Sequence, residues 1–354
     1  MKKSIRITLI FILVIFCTFF GVKSNNLTLS ALENLPSGKD FSYYKYEGEV
    51  PHFFTHQIIN DAKKAFKSKL ARHYDKDCIT CTEFKNFLQE MYNNNYCLVD
   101  IYDVVGVLDG KAYFKDLFVP LGKKPFILSF DDMSYDSIGL GLSDKIILDY
   151  DGNIASYTRS NNPKIEYDKE AICIMESFIK EHEDFSCRNA RAIICPTGYD
   201  GILGYRINKD GINREREIEE IRPLIEKLKN LNYHFGCHTY GHIQIAYSNY
   251  STILRDLERY KSEILSVIGD TNIFCFPAGS KVSSGCKLEL LKEYNYKIFF
   301  CVGDAKTCIN NNVAFLKREV LNGVALRNFR NDYLKYFDTK KVYDHEHRTI
   351  QFPS

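Results

Sequence analysis

Short apolar, β-prone runs alternate along this chain with longer segments whose apolar residues recur every three or four positions. The first run, Pro51 to Ile59, predicts a strand. From Cys81 to Asn95 the spacing of Phe84, Phe87, Leu88 and Met91 predicts a helix, with Thr80 or Thr82 placed to cap it. Tyr96 to Ile101 reads as the next strand, and Pro125-Phe126-Ile127-Leu128 as another that ends in Ser129-Phe130-Asp131-Asp132. Further on, helical spacing at 169–183, 217–230 and 251–268 alternates with strand-like runs at 190–195, 233–236, 273–276 and 297–302. Pro223 is expected to kink the second of these helices. Strands alternating with helices argue for an α/β fold with a parallel sheet or a barrel.

Residues 133–168 break the rhythm. They hold the turn-rich Gly139-Leu140-Gly141-Leu142, a short strand from Lys145 to Leu148 and a hairpin signal at Asp151-Gly152-Asn153, and read as an insertion on one rim. The glycines between Thr197 and Arg206 are not in a phosphate-binding order and predict turns.

Two short runs carry most of the candidate chemistry. Asp131-Asp132 closes a strand, and strand C-termini are where open α/β sheets and barrels keep their reactive groups. His238-Thr239-Tyr240-Gly241-His242 spaces two imidazoles four residues apart, so that one helical turn can aim both at one ion. One carboxylate (Asp132) with two imidazoles (His238, His242) leaves coordination positions open for water and substrate, the pattern of a catalytic rather than a structural metal. The adjacent Asp131 is placed to act as base beside such an ion.

Composition narrows the setting. The 354 residues are 45% hydrophobic and 14% aromatic, enough for one large core. Lys and Arg total 47 against 45 Asp and Glu, a formal charge of +2, which argues against nucleic acid or an anionic membrane as the main partner. Lys2, Lys3 and Arg6, then an uncharged run from Ile7 to Val22, then Lys23-Ser24-Asn25-Asn26, have the layout of a secretory signal and predict export to the cell surface. Cleavage and retention as an N-terminal membrane anchor both fit a run of this length. The expected organisation is a leader at 1–24, a stalk at 25–44, a catalytic domain at 45–330 and a polar tail at 331–354. In an oxidising compartment some of the eleven cysteines after the leader are expected to pair.

Ser129 to Asp132, Gly236 to His242, and Phe274-Cys275-Phe276-Pro277-Ala278-Gly279 together resemble, in order, the first three motifs of the NodB-homology polysaccharide deacetylases, carbohydrate esterase family 4. The resemblance spans roughly residues 45–330 and implies a distorted (β/α) barrel with a divalent metal, zinc in expectation, at its mouth. It implies Asp131 as general base and Asp132, His238 and His242 as ligands. Thr239 would shape the histidine loop, and Pro277, Ala278 and Gly279 would line the substrate groove, with the Ala278 N–H facing the oxyanion.

The chain departs from that pattern in two places. It has no late Leu-x-His motif to supply the general acid, but Phe53 to Ile58 is similar to the first strand of the permuted branch that acts on poly-N-acetylglucosamine. That likeness makes His56 the acid, in preference to His52 ahead of the strand body. Cys275 stands where many relatives have an arginine that orients the base. Arg318, after Val313-Ala314-Phe315-Leu316, could supply that charge, although an ordinary surface position is the reading the sequence favours. The expected function is removal of N-acetyl groups from an N-acetylhexosamine polymer. The alternatives are a non-catalytic carbohydrate-binding or adhesion protein on the same fold, or an O-acetyl glycan esterase. A metallopeptidase would need Glu where Thr239 stands.

Overall fold

Nine strands, in chain order, carry the architecture of this computed structural model: β1 (His52–Thr55), β2 (Tyr96–Leu98), β3 (Lys124–Asp131), β4 (Ile193–Cys195), β5 (His234–Phe235), β6 (Ile273–Cys275), β7 (Ile298–Cys301), β8 (Val313–Lys317) and β9 (Glu319–Val320). The residues described are 42–135, 140–208, 213–350 and 352. The leader, the stalk as far as residue 41, and Gly139 of the insertion lie outside them. No helix among the described residues is long and apolar enough to cross a membrane.

One sheet runs in the order β5-β4-β3-β1-β9, every pair parallel, and β2 pairs in parallel with the start of β3. In a second sheet β6, β7 and β8 are also parallel, and Cys308–Asn310 adds an antiparallel edge. The two are joined twice. A parallel bridge pairs Cys237, just past β5, with Phe274 of β6. At the other side β8 passes through Arg318 into β9, which pairs with β1. The strands are thus linked in a circuit, by pairing or a bridge at every step except Arg318, where the link is the chain itself.

The near-continuous apolar reading of β3 follows from burial on both faces. Successive side chains point to opposite faces of a strand, and here they sort into two cores. Phe126, Leu128 and Phe130 of β3 join Phe274, Phe299 and Phe315 in the larger cluster, which includes the helices. Ile127 joins Ile193, Cys195, Ile273, Cys275, Ile298, Phe300, Ala314 and Leu316 in a second cluster. Counting on by twos, Asp131 shares the face of Ile127, and Arg318 that of Ala314 and Leu316. Strand parity thus puts Asp131, Cys275 and Arg318 on the same interior side.

Helices α1 (Cys81–Asn93), α2 (Ala171–Glu181), α3 (Arg214–Asn230) and α4 (Tyr250–Arg259) connect the strands. Thr80 caps α1 in a reciprocal capping box with Glu83, and Phe84, Phe87, Leu88 and Met91 form its buried face. The assigned helix α3 runs on through Pro223 to Asn230. The insertion forms a three-stranded antiparallel sheet of Lys145–Leu148, Ile154–Thr158 and Lys164–Glu166. It docks where Gly141 O accepts from the N–H groups of Asn60 and Asp61. Gly141 has φ of 99°, and a Cβ there would stand 2.6 Å from Asp61 O, so no larger residue fits.

The segment expected as a polar tail includes a fully buried charge cluster. Arg348 donates from Nε and Nη2 to Glu83 at 2.8 and 2.6 Å, and from Nη1 and Nη2 to the carbonyls of Asp75 and Cys78, each at 2.7 Å. Arg327 pairs with Asp75 at 2.8 Å. The chain end therefore clamps the short helix Ala71–Asp77 to the start of α1. Arg348→Ala would leave Glu83 buried without its cation, a change that costs about 3–5 kcal/mol. Urea unfolding should show a loss of that size, and a loss below ~1 kcal/mol would show the clamp to be dispensable.

Candidate active site

Asp131, the last residue of β3, is 2% exposed and held from three sides. Arg318 binds it in a two-pronged pair, Nη1 to Oδ1 and Nη2 to Oδ2, both at 2.8 Å. The Cys275 thiol donates to Oδ2 at 3.3 Å and accepts from Arg318 Nη2 at 2.7 Å. Arg318 also donates to Ser129 Oγ at 3.0 Å and lies 4.0 Å from the centre of the Phe54 ring. Burial alone would raise the Asp131 carboxyl, but the Arg318 guanidinium, with His238 nearby, holds it well below the usual carboxylate range. Burial pushes the Cys275 thiol well up, so it stays protonated and can donate. His52 lies deeper, its Nε2 at 2.9 Å from Ser129 Oγ, and burial with Arg318 close by keeps it neutral.

Asp132 turns the chain out of the strand with φ of 56°, a left-handed conformation that aspartate tolerates better than most residues. Its Oδ1 lies 3.4 Å from His238 Nε2 and 3.7 Å from His242 Nε2, and has no hydrogen-bond partner. Ligands about 2.1 Å from a tetrahedral ion stand ~3.4 Å apart, so this orphaned oxygen and the two imidazoles fit a divalent cation. The ligand atoms of Asp132, His238 and His242 all lie within 4.8 Å of one another. His238 Nδ1 donates to Cys275 O at 3.0 Å, which leaves Nε2 free to ligate. Burial lowers the affinity of both histidines for a proton. At His242 it prevails, whereas at His238 the neighbouring Asp131 and Asp132 carboxylates outweigh it and raise the value.

The histidine pair does not sit on a helical turn. Residues 238–244 form a loop in which Thr239 and His242 take left-handed φ values of 60° and 51°. The loop is pinned by Asp256 of α4, whose carboxylate accepts from Tyr240 N at 2.7 Å and Gly241 N at 2.8 Å. Thr239 Oγ1 accepts from Ile243 N at 3.0 Å. Spacing alone missed this because four residues of loop can converge two rings as well as one turn can, provided something outside the loop satisfies its N–H groups.

His56 follows β1 on the face of His52 and Phe54, and its Nε2 is 3.8 Å from Asp132 Oδ2. It therefore reaches the same cleft, of about 440 Å³, that Asp131, Asp132, His238 and His242 line. Ala278 and Gly279 line it too, whereas Pro277 is buried and does not. Arg318 departs most from the sequence reading: 2% exposed, it is a core residue and not a surface one. The signals that could have found it were its in-step position two residues after Leu316 and the vacant arginine position at Cys275. All eleven cysteines of the described residues are free thiols in this structure.

No family model matches the sequence, and no curated protein matches it. Among solved structures it is similar to the deacetylase PplD of Streptococcus pyogenes, determined with acetate. Identity is 14%, coverage 82% of this chain and 99% of that one, and the TM-score 0.48. It is also similar to IcaB from Ammonifex degensii, at 12% identity, 78% and 93% coverage, and a TM-score of 0.41.

The Asp131–Arg318 pair has a pH signature. A carboxyl held below its unfolded value of about 3.9 stabilises the fold above that pH, and the contribution is lost as pH falls through the lower folded value. Arg318→Met should cost about 3–5 kcal/mol at pH 7 by stranding Asp131. The gap to the unaltered protein should narrow below pH ~4, where the stranded carboxyl is protonated in the variant. Urea titrations at pH 7 and pH 3 measure it, and a pH-independent gap would contradict the pairing.

Proposed function

We propose that this chain is an exported, metal-dependent deacetylase that hydrolyses N-acetyl groups on an N-acetylhexosamine polymer at the cell surface. Its closed circuit of strands is read as the distorted (β/α) barrel the motifs imply. The observation that carries the proposal is the unpartnered Asp132 Oδ1, spaced from His238 and His242 as ligands of one ion are, beside the buried, ionised Asp131. Two imidazoles and one carboxylate suit zinc. When bound, such an ion polarises an acetyl carbonyl and acidifies water.

The remaining work falls to the chain. Asp131 accepts the proton of the attacking water on a carboxylate oxygen, and Arg318 with Cys275 fixes the direction in which that oxygen points. Each carboxylate oxygen has two lone pairs, so the bonds to Arg318 leave acceptor capacity. Ala278 lines the cleft, and its N–H is read, from the motif, as the donor to the oxygen that becomes negative. His56 Nε2 gives a proton to the departing amine nitrogen, so that water and the amide leave as acetate and a free hexosamine amine. The charged leader supports export, and fractionation of cells with antibody against residues 45–330 should find the chain outside the cytoplasm.

Acetate release from N-acetylglucosamine oligomers tests the reaction. Asp131→Asn and His56→Ala should each lower kcat by ~10²–10⁴-fold, the usual contribution of a positioned acid or base. Chelation should abolish activity and added divalent metal restore it. Equal acetate release by the unaltered protein and Asp131→Asn would sink the proposal, and preferential release from O-acetyl xylan would assign the site to an esterase.

A further inference from the structure

A second cavity, of about 420 Å³, lies beside the catalytic cleft, and Leu142 of the insertion lines both. Its lining is strongly asymmetric in charge. Lys63 and Lys64 come from one wall, and Arg159, Lys164 and Lys169 from the three-stranded insertion and the segment after it. Against these five cations stand two carboxylates, Asp61 and Glu166. Asp61 is already engaged, its Oδ1 accepting from Lys64 N at 3.0 Å as the cap of the short helix Ala62–Ala65. Among the described residues none of the five cations forms an ion pair, and Lys63, Lys64, Arg159 and Lys164 are exposed. Asn60, Thr82 and Ser160 add neutral polar groups to the same walls.

This concentration stands out in a chain whose formal charge is only +2. Elsewhere the lysines and arginines of the protein are commonly paired, as Lys85 is with Asp168, Lys123 with Asp184, and Lys145 with Glu217. In sequence the basic run continues through Lys67, Lys69 and Arg72, all exposed and lining neither cavity. It leads into the helix Ala71–Asp77, whose His73 and Tyr74 line the catalytic cleft. Unpaired cations gathered on a concave surface focus potential and favour an anionic ligand.

We propose that this groove is a binding subsite for an anionic glycan, a substrate whose sugars carry carboxylate or phosphate groups next to the acetylated unit in the cleft. The proposal builds on the deacetylase reading, since it takes the occupant of the groove to be the continuation of the chain held at Asp132, His238 and His242. Leu142, 6% exposed, is the wall that the two cavities share, and the polymer is taken to pass around it from cleft to groove. Negative groups on the glycan then meet Lys63, Lys64, Lys164 and Lys169, while a neutral polymer gains nothing there.

The test compares two fluorescent octasaccharides of equal length on the full chain, one neutral and made of N-acetylglucosamine, the other alternating N-acetylglucosamine with glucuronate. The anionic probe should bind about tenfold more tightly at low salt, and added salt should erase the difference. In Lys63→Glu/Lys164→Glu/Lys169→Glu the preference should vanish, while acetate release from the neutral oligomer and the thermal unfolding midpoint stay unchanged. If no acetate is released by any protein but the anionic preference and its loss in the variant persist, the groove stands and the deacetylase reading fails. Equal affinity of the unaltered protein for both probes overturns the groove and leaves the deacetylase reading intact. It is likewise overturned if the variant loses binding to phosphatidylglycerol vesicles while both oligosaccharides bind as before, since the cations would then serve a membrane.

Discussion

A buried ion pair between Asp131 and Arg318 sets the terms for the interior of this protein. Both side chains are almost fully removed from water, 2% and 1% exposed, where an isolated charge would be very unfavourable. The pair is sustained by geometry: two parallel hydrogen bonds at 2.8 Å, a hydroxyl from Ser129, a thiol from Cys275 and the faces of Phe54 and Phe300 around the guanidinium. These partners come from β1, β3, β6, β7 and the junction of β8 with β9. One charge pair thereby ties together strands from both sheets, at the point where the second sheet returns to the first.

The candidate ligand set of Asp132, His238 and His242 depends on the same junction. Cys275 gives its side chain to the ion pair and its carbonyl to His238 Nδ1, so one residue orients both the carboxylate and the imidazole. Asp132 owes its position to a left-handed turn directly after Asp131, and His242 owes its position to a loop held by Asp256. Neighbouring aspartates consequently live in different worlds. Asp131 accepts from Arg318 on both oxygens and from Cys275 on one, while Asp132 presents an oxygen with no donor.

The walls of the cleft come from parts of the chain far from these motifs. The helix Ala71–Asp77 is fixed from behind by Arg327 and Arg348, and the insertion is seated through Gly141. Net charge conceals what these parts do. A balance near zero over the whole sequence coexists with a groove in which cations outnumber carboxylates, because paired charges elsewhere cancel and those in the groove do not.

Much was legible in the order of residues. Alternating apolar runs and helical spacings located the main strands and helices, since burial on both faces of a parallel strand and on one face of a helix leaves a mark in local composition. Asp131, Asp132, His238, His242 and His56 stood out because their chemistry is unusual at the ends of such runs, and all five line one cleft. What the sequence did not decide was how they meet. The histidine spacing predicted a helical turn where a loop stands, Arg318 read as a surface residue, and the polar residues after 330 gave no sign of the buried cluster around Arg348. In each case the deciding partner is remote in sequence: Asp256 for the loop, Asp131 for Arg318, Glu83 and Asp75 for Arg348. Periodicity records which way a side chain faces, a property of its own strand or helix. Whether an opposite charge waits there is a property of the register between strands, and only the tertiary structure sets that.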